Sequence, residues 1–310
     1  MDFRSEVERL LRQIPEGRLA RCGDVARALG DVRASIAVFR FVADHPEIPG
    51  VSRIVSGTGG SAADTQFFTG FDGDAPLEKL RAEQFALAAN VSSRDIFRTV
   101  STIGGVDVSY DGDRGFATAV VLRASDLAVV EETHAARAVT FPYIPTYLAQ
   151  REFPLIRAAF DRLTERPTVL LIDGHGRLHP ARCGVACFAG VKLGVPTIGV
   201  AKNPLTGTMS RRPAIGESAP VRVGREVLGY AIRTSQSARP LFVSVGHRVS
   251  LRTAVRIVRS ACITRHPEPL RLAHAFATEY KRRKGKRIRR GFANRSLPQE
   301  RKPGAKEGRD

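Results

Sequence analysis

The first seventy residues show short apolar periods of helical spacing, separated by turn residues. Apolar residues from Val7 to Ile14 recur on one helix face, and Pro15 ends that helix. A second short helix is predicted to end at Gly30, and a third to run from about residue 33 to 43. The later segment GVSRIVSGTGG is typical of a strand that leads into a glycine-rich tip. Three helices, a strand and such a tip predict a small winged-helix domain.

The glycine-rich and acidic stretch at 69–76 is expected to be a linker, with the domain boundary near residue 72. Beyond it, segments with the apolar spacing of strands alternate with segments that have the spacing of helices. The predicted order is a helix at 77–89, strands near 102–110, 117–122 and 128–132, a helix at 155–163, a strand at 169–173, a helix at 183–193 and a strand at 197–201. This order predicts an α/β domain in which helices cover a mixed sheet.

Charge adds a partner class to this picture. The 310 residues include 49 Lys and Arg against 31 Asp and Glu, a net charge of +18, which favours a polyanionic partner such as nucleic acid. Residues 281–310 hold 13 Lys and Arg, 3 acidic residues and few apolar ones. We expect a disordered tail that binds phosphates without reading sequence, with a purely solubilising tail as the alternative. The predicted units are therefore 1–72, 73–280 and 281–310.

Composition also excludes several classes of protein. The four cysteines lack Cys-x-x-Cys spacing, so neither a disulfide framework nor a zinc ribbon is predicted. No apolar run reaches the roughly 18 residues of a membrane span, and the first residues lack the apolar core of a signal peptide. We expect a soluble cytoplasmic protein with no membrane partner.

Three polar residues interrupt the buried strands of the predicted sheet. Asp107 lies inside the first strand, Asp173 ends VLLID, and Lys202 follows TIGVA. Ligand sites of α/β sheets form at the carboxyl ends of strands, and carboxylates in apolar strands are costly unless paired or bound to a cation. Several such groups suit Mg²⁺ and phosphodiester hydrolysis. Each aspartate taken alone is equally explained as a helix cap or a salt-bridge partner.

Five segments together carry a family resemblance: VDVSY, FPYIPTYLAQRE, VLLIDGHGRLHPARCGVA, VPTIGVAK and VSVGHR. In this order they resemble endonuclease V over roughly residues 75–275, and DGHGxxHPxxxG is the most specific of them. The resemblance implies a ribonuclease H-like fold. It also implies cleavage of the second phosphodiester bond 3′ to deoxyinosine, with Mg²⁺ or Mn²⁺ as cofactor.

The same resemblance implies a role for each site residue. Asp107, Glu152 and Asp173 correspond to the metal-binding acids, with Glu152 expected just before a helix. Lys202 would stabilise the phosphorane, and His247 in VSVGHR is assigned as the active-site histidine.

A loop between the first two acidic positions resembles the wedge that the family inserts into DNA. Pro142, Tyr143, Ile144 and Pro145 match it, and two prolines pre-set the backbone so that Tyr143 can stack where the damaged base is withdrawn. The base pocket of the family continues through three further positions. Here these are Thr146, where the family usually has glycine, Gly174 and His179.

The first domain resembles the DNA-binding domain of alkylguanine DNA alkyltransferases through IPEGRLARCGDVARALG and ADHPEIPGVSRIVSGTGG. Val51 stands where those enzymes have their reactive cysteine, so no alkyl transfer is expected. The remaining features are a winged-helix shape and three basic residues, Arg33, Arg40 and Arg53. We expect this domain and the tail to add DNA affinity without setting lesion identity.

The sequence therefore predicts a DNA repair endonuclease that acts on DNA containing deoxyinosine or other deaminated bases. One alternative is a ribonuclease for inosine in RNA, because phosphate contacts do not distinguish the two sugars. The other alternative is a non-catalytic sensor of damaged DNA. Retention of all the acidic positions argues against a sensor.

Overall fold

A computed structural model of the chain describes residues 1–55, 67–235 and 239–293, with side chains as far as residue 284. The N-terminal unit contains all three helices that its apolar spacing predicts. Its elements are helix α1 (Phe3–Leu11), strand β1 (Ala20–Arg21), helix α2 (Cys22–Ala28), helix α3 (Ser35–Asp44) and strand β2 (Ile54–Val55). Strands β1 and β2 pair in parallel, and the predicted glycine-rich tip falls mostly outside the described residues.

Helix α1 shows why this small unit folds. Asp2 caps it by accepting a hydrogen bond from the backbone N–H of Arg4 at 3.1 Å. Its apolar face, from Phe3 to Leu11, is buried against helices α2 and α3. The spacing of these apolar residues leaves the opposite face of the helix polar.

A mixed nine-stranded sheet forms the rest of the molecule. Its strands are β3 (Thr102–Asp111), β4 (Arg114–Arg123), β5 (Val129–Ala138), β6 (Val169–Asp173), β7 (Thr197–Ala201), β8 (Thr208–Met209), β9 (Ser218–Val223), β10 (Glu226–Ile232) and β11 (Leu241–His247). They are ordered β5-β4-β3-β6-β7-β11-β10-β9-β8. Strands β3, β6 and β7 run parallel, and the remaining pairs are antiparallel.

Helices cover both faces of this sheet. Helices α4 (Pro76–Ala89), α5 (Leu148–Phe160) and α6 (Val185–Leu193) share one apolar cluster with strands β3, β4 and β6. Helices α7 (Leu251–Ser260) and α8 (Glu268–Ala293) pack on the other face. The predicted α/β class, a mixed sheet with flanking helices, is confirmed. Within the described residues, no helix is both long enough and apolar enough to span a membrane.

Two predicted boundaries differ from the structure. Helix α5 begins at Leu148, seven residues before the predicted start near 155, and Pro154 lies inside it. Glu152 is therefore within this helix and not before it. Helix α8 continues to Ala293, whereas the sequence predicts a disordered tail from residue 281. Lys and Arg are good helix formers, so a helix anchored at Leu270, Ala273 and Ala277 propagates through the basic run. Residues 294–310 lie outside the described part of the chain.

Helix α8 approaches strand β3 at Gly105, where an added Cβ would lie 2.2 Å from the carbonyl oxygen of Pro269. We therefore predict that Gly105→Ala destabilises the fold by about 1–3 kcal/mol, the usual cost of overpacking. Urea unfolding measures the change. Gly23→Ala is the control, because its Cβ meets only Ser35 Oγ at 3.8 Å and alanine favours a helix by about 0.5–1 kcal/mol. Equal midpoints for Gly105→Ala and wild type would contradict this packing of helix α8.

Candidate active site

Parallel pairing of strands β3 and β6 brings two aspartates together. The register pairs Val106 with Ile172, so Asp107 and Asp173 come next on the two neighbouring strands. Strands in a sheet lie about 4.8 Å apart, which leaves little room between the two carboxylates. The side chain of Asp107 is 11% exposed and that of Asp173 is 33% exposed. Burial, together with the charge of Asp173, raises the pKa of Asp107.

A third carboxylate reaches this pair from helix α5. Glu152 is partly buried, and its Oε1 accepts a hydrogen bond from the hydroxyl of Tyr110 at 3.2 Å. Burial, and next the charge of Asp107, raises the pKa of Glu152 to about 8. The structure thus brings all three predicted acids into one electrostatically coupled group.

A lysine and a histidine contact the same group. Lys202 follows strand β7 and places its Nζ 3.3 Å from Oδ2 of Asp173. His274 of helix α8 places its Nδ1 2.8 Å from Oδ2 of Asp107. Sequence reasoning missed His274, since it lies in a helix that the analysis did not predict, about 100 residues beyond the last acidic motif.

The residues of this group fit a divalent cation by charge and by ligand chemistry. Among residues 1–55, 67–235 and 239–293, no three His, Cys, Asp or Glu side chains already have the spacing of a metal site. Lys202 and His274 instead take up carboxylate oxygens that a cation would use. The three carboxylates form an oxygen-only donor set, which suits a hard cation, and burial together with the charges of neighbouring aspartates raises the pKa of Asp107 and of Glu152.

His247, assigned from the sequence as the active-site histidine, does not join the acids. Strand β11 runs antiparallel to strand β7, so His247 pairs with Thr197 at the start of β7, whereas Lys202 follows the end of β7. The Nδ1 of His247 accepts a hydrogen bond from the backbone N–H of Ser92 at 3.2 Å. The assignment is wrong because the motif lies at the opposite end of the sheet. His274 is the histidine at the acidic group.

A cavity of about 250 Å³ opens beside the acids. Asp173 and Lys202 line it together with the predicted pocket residues Tyr143, Thr146, Gly174 and His179. Gly174 has a φ of +153°, and an added Cβ would lie 2.4 Å from Cγ1 of Val185, so a side chain there would be strained and crowded. A larger cavity of about 660 Å³, next to the N-terminal unit, includes none of the three acids. Of these two cavities only the smaller is lined by one of the acids, so it is the candidate pocket.

Thr146 adopts a conformation that favours glycine, with φ at +72°. Its carbonyl oxygen accepts hydrogen bonds from Nε2 of Gln84 at 3.0 Å and from Nε2 of His179 at 3.1 Å. The backbone N–H of Ala181 donates to Nδ1 of His179, which fixes the proton of this histidine on Nε2. Burial, and next the charge of Arg81, lowers the pKa of His179 to about 3, so the ring is neutral.

The four predicted wedge residues have different environments. Tyr143 is 55% exposed, whereas Ile144 is fully buried in the apolar core of the N-terminal unit, together with Phe141 and Tyr147. Ile144 therefore anchors the loop and is not free to contact DNA, which corrects its assignment. The flanking prolines, Pro142 and Pro145, are partly buried.

The three basic residues predicted to position DNA also differ in their environments. Arg33 donates to Asp31 at 2.9 Å and to the hydroxyl of Thr146 at 3.4 Å, and Arg53 donates to the carbonyl oxygen of Ile14. Arg40 is exposed on helix α3. Two of the three arginines thus bind other parts of the protein.

Comparison with known proteins agrees with this site. The family model for endonuclease V matches residues 85–275, which leaves residues 1–84 outside the matched span. Endonuclease V of Thermofilum pendens is 47% identical over 210 residues, which is 66% of this chain and 89% of that protein.

Solved structures show the same likeness. The crystal structure of endonuclease V from Streptomyces avermitilis has a TM-score of 0.63 and 39% identity, and the match covers 67% of this chain and 94% of that chain. Endonuclease V of Ciona intestinalis, with a 24mer DNA containing an inosine followed by a ribo-adenosine, has a TM-score of 0.58 and 28% identity. That match covers 68% of this chain and 99% of the other. From its sequence and its fold, the chain belongs to the endonuclease V family of metal-dependent DNA repair nucleases.

Proposed function

We propose that the protein recognises deoxyinosine in DNA and hydrolyses the second phosphodiester bond on its 3′ side. The observation that carries this proposal is that one cavity is lined both by the predicted base-pocket residues Thr146, Gly174 and His179 and by Asp173 and Lys202. A base held in that cavity would keep the adjoining backbone of its strand near the carboxylates. The inosine-containing DNA bound by the Ciona protein supports the same substrate. Other deaminated bases are further candidate substrates.

Asp107, Glu152 and Asp173 would hold Mg²⁺, for which Mn²⁺ can substitute, because carboxylate oxygens suit both ions. When bound, such an ion supplies an activated water and neutralises charge on the reacting phosphate. The raised pKa of Glu152 and of Asp107 supports this role, since a cation would offset the repulsion that causes it.

Other side chains would act around these acids. Lys202 lines the base cavity and also a second cavity, of about 220 Å³, in which His274 lies. Its ammonium would stabilise negative charge on a phosphate oxygen that lies between the two cavities. The Nδ1 of His274 lies 2.8 Å from Oδ2 of Asp107, and we assign to this histidine the role that the sequence gave to His247. Tyr110 orients Glu152 through its hydroxyl.

For residues 1–72 we propose an alkyltransferase-like winged-helix domain without alkyl-transfer activity. Val51 at the position of the reactive cysteine, and the three helices, support this proposal. The buried thiol of Cys22 is a poor substitute, because burial raises its pKa and disfavours the reactive thiolate.

A ribonuclease for inosine in RNA is the second candidate function. One observation favours it: the nucleic acid bound by the Ciona protein has a ribonucleotide directly after the inosine. Recognition of a 2′-hydroxyl near the cleaved bond would produce this preference.

Side-by-side cleavage tests the two candidates. The full chain is given duplex DNA with one deoxyinosine, RNA with one inosine, and undamaged duplex, all with Mg²⁺. We expect chelator-sensitive cutting of the deoxyinosine strand at the second bond 3′ to the lesion, at least about tenfold faster than RNA. Faster cutting of RNA would support the second candidate. Binding of damaged DNA with no chelator-sensitive cleavage would identify a sensor and overturn the proposal.

The acids are tested with neutral side chains of the same shape. We predict that Asp107→Asn and Asp173→Asn each lower cleavage by more than about 100-fold, because even indirect contacts to a metal ligand are worth about 10–100-fold. Affinity for deoxyinosine DNA should stay within about fivefold. The melting temperature of wild type should rise with Mg²⁺, and that of the variants should not.

The control for these variants is Asp113→Asn, an exposed aspartate in the turn between strands β3 and β4. It should keep both cleavage and the response to Mg²⁺. Cleavage within tenfold of wild type in either acid variant at saturating Mg²⁺ would refute the assignment.

The basic C-terminus is expected to bind phosphates without reading bases. Deleting residues 285–310 removes nine of the thirteen Lys and Arg that follow residue 280. We predict weaker binding to damaged and undamaged duplex alike. The log-log dependence of affinity on salt should become shallower by about 0.9 for each lost phosphate contact. A salt series with both duplexes measures this. An unchanged slope would favour a solubilising tail, and a lower ratio of damaged to undamaged affinity would show that the tail contributes to lesion recognition.

A further inference from the structure

Asp31 of the N-terminal unit is a buried carboxylate at the junction with the base pocket. Its side chain is 7% exposed and lies between two arginines, with Arg33 Nε at 2.9 Å and Arg81 Nη2 at 3.6 Å. It also accepts hydrogen bonds from the hydroxyl of Tyr147 at 2.8 Å and from the backbone N–H of Arg33 at 3.0 Å. Burial alone would raise the pKa of Asp31, but these hydrogen bonds lower it below the usual value, so the group is ionised.

The partners of Asp31 reach the loop that bounds the pocket. Arg33 and Arg81 both donate to the hydroxyl of Thr146, and the guanidinium of Arg81 lies 4.2 Å from the centre of the Tyr147 ring. Arg81 also donates to Gln84 at 2.8 Å, and Gln84 in turn donates to the carbonyl oxygen of Thr146. Asp31 is therefore connected to both polar groups of Thr146 through two arginines.

Thr146 needs this support more than a glycine would. A β-branched residue with φ at +72° is strained, at a cost that surrounding contacts must offset. Its carbonyl oxygen and its hydroxyl each accept two hydrogen bonds. Three of the four donors, Arg33, Arg81 and Gln84, belong to the chain of contacts that leads to Asp31. The conformation of the loop thus depends on a carboxylate that lies outside the matched nuclease span.

Apolar packing reinforces the same connection. Phe141, Ile144 and Tyr147 belong to the core of the N-terminal unit, with Leu10 and Leu29 among their neighbours in that core. Tyr143, on the same loop, remains exposed between these buried anchors. The N-terminal unit therefore holds both ends of the loop and leaves the tyrosine free.

We propose that the N-terminal unit supports the loop that lines the lesion pocket and that Asp31 is its positioning residue, acting through Arg81, Arg33 and Tyr147 on the conformation of Thr146. This inference rests on the proposed function of the pocket. It also revises the expectation that the first domain adds affinity without influence on lesion identity.

The test compares Asp31→Asn and Tyr147→Phe with wild type, each in the full chain, on deoxyinosine duplex and on undamaged duplex. We expect KM for deoxyinosine DNA to rise about fivefold or more, a coupling typical of two linked sites, while kcat stays within about twofold. Affinity for undamaged duplex should not change. A rise in KM below twofold for both variants, with wild type preferring deoxyinosine, would overturn the inference.

The variant Thr146→Gly distinguishes the proposed role of Asp31 from a purely structural one, because only the proposed role makes the effect of Asp31→Asn on KM depend on Thr146. Glycine adopts a positive φ without strain and has no hydroxyl to hold, so the loop should no longer depend on Asp31. In that background, Asp31→Asn should change KM less than twofold. Equal effects of Asp31→Asn with Thr146 and with Gly at this position would contradict the proposed path.

Asp24→Asn is the matched control within the same unit. Asp24 is also buried and is paired with Arg27, yet none of its described bonds reaches the loop. This variant should lower stability without altering the preference for deoxyinosine. A loss of preference equal to that of Asp31→Asn would show that general destabilisation is the cause, and would overturn the inference.

Hydrogen exchange separates this inference from the proposed function. In the protein without DNA, Asp31→Asn should speed amide exchange at residues 141–150 at least about fivefold, and Asp24→Asn should not. Unchanged exchange there would overturn the role of Asp31 whatever the substrate. Faster exchange in a protein whose wild type shows no preference for deoxyinosine would support the role of Asp31 and refute the substrate.

Discussion

Electrostatic repulsion among carboxylates at one edge of the sheet is the constraint on which this molecule depends. Strands β3 and β6 pair in parallel, and their register sets Asp107 beside Asp173 with no freedom to separate. Helix α5 adds Glu152, and burial together with the charges of neighbouring aspartates raises the pKa of both Glu152 and Asp107. A fold that tolerates this arrangement must supply positive charge nearby, and Lys202, which follows strand β7, provides it at Asp173.

The N-terminal unit and the nuclease domain meet through shared apolar packing and a buried ion network, not through a loose linker. The loop from Phe141 to Tyr147 belongs to the nuclease sequence, yet its apolar side chains complete the core of the other unit. Interfaces between domains of one chain are commonly small and polar, and such domains move independently. Here a buried carboxylate with two arginines makes separation costly, because it would expose apolar side chains and leave Asp31 and Arg81 without each other.

The sequence was sufficient where a residue interrupts a regular local pattern. Asp107, Asp173 and Lys202 stand out because each breaks a buried strand, and strand order alone then places them at one sheet edge. The position of His247 could not be predicted in this way, because the direction of strand β11 depends on its pairing with residues that are distant in the sequence. His274 could not be found from local pattern, because it lies on an exposed helix face and its partner is 167 positions away. Thr146 was visible as a departure from the family, but the hydrogen bonds that connect it through Arg33 to Asp31, more than 100 positions earlier, were not.

Helix α8 carries the histidine of the acidic group near one end and a basic run at the other. His274 is near its beginning and the basic run extends to Ala293, which is 19 residues, or about 28 Å, further along the axis. Duplex DNA rises about 3.4 Å for each base pair, so this distance corresponds to about eight base pairs. Under the proposed function, this length sets a footprint: phosphates bound by the basic end of the helix would lie about this far from the bond cleaved beside Asp107. Oligonucleotides shorter than this spacing would reach the acids while leaving the far end of the helix without a phosphate to bind.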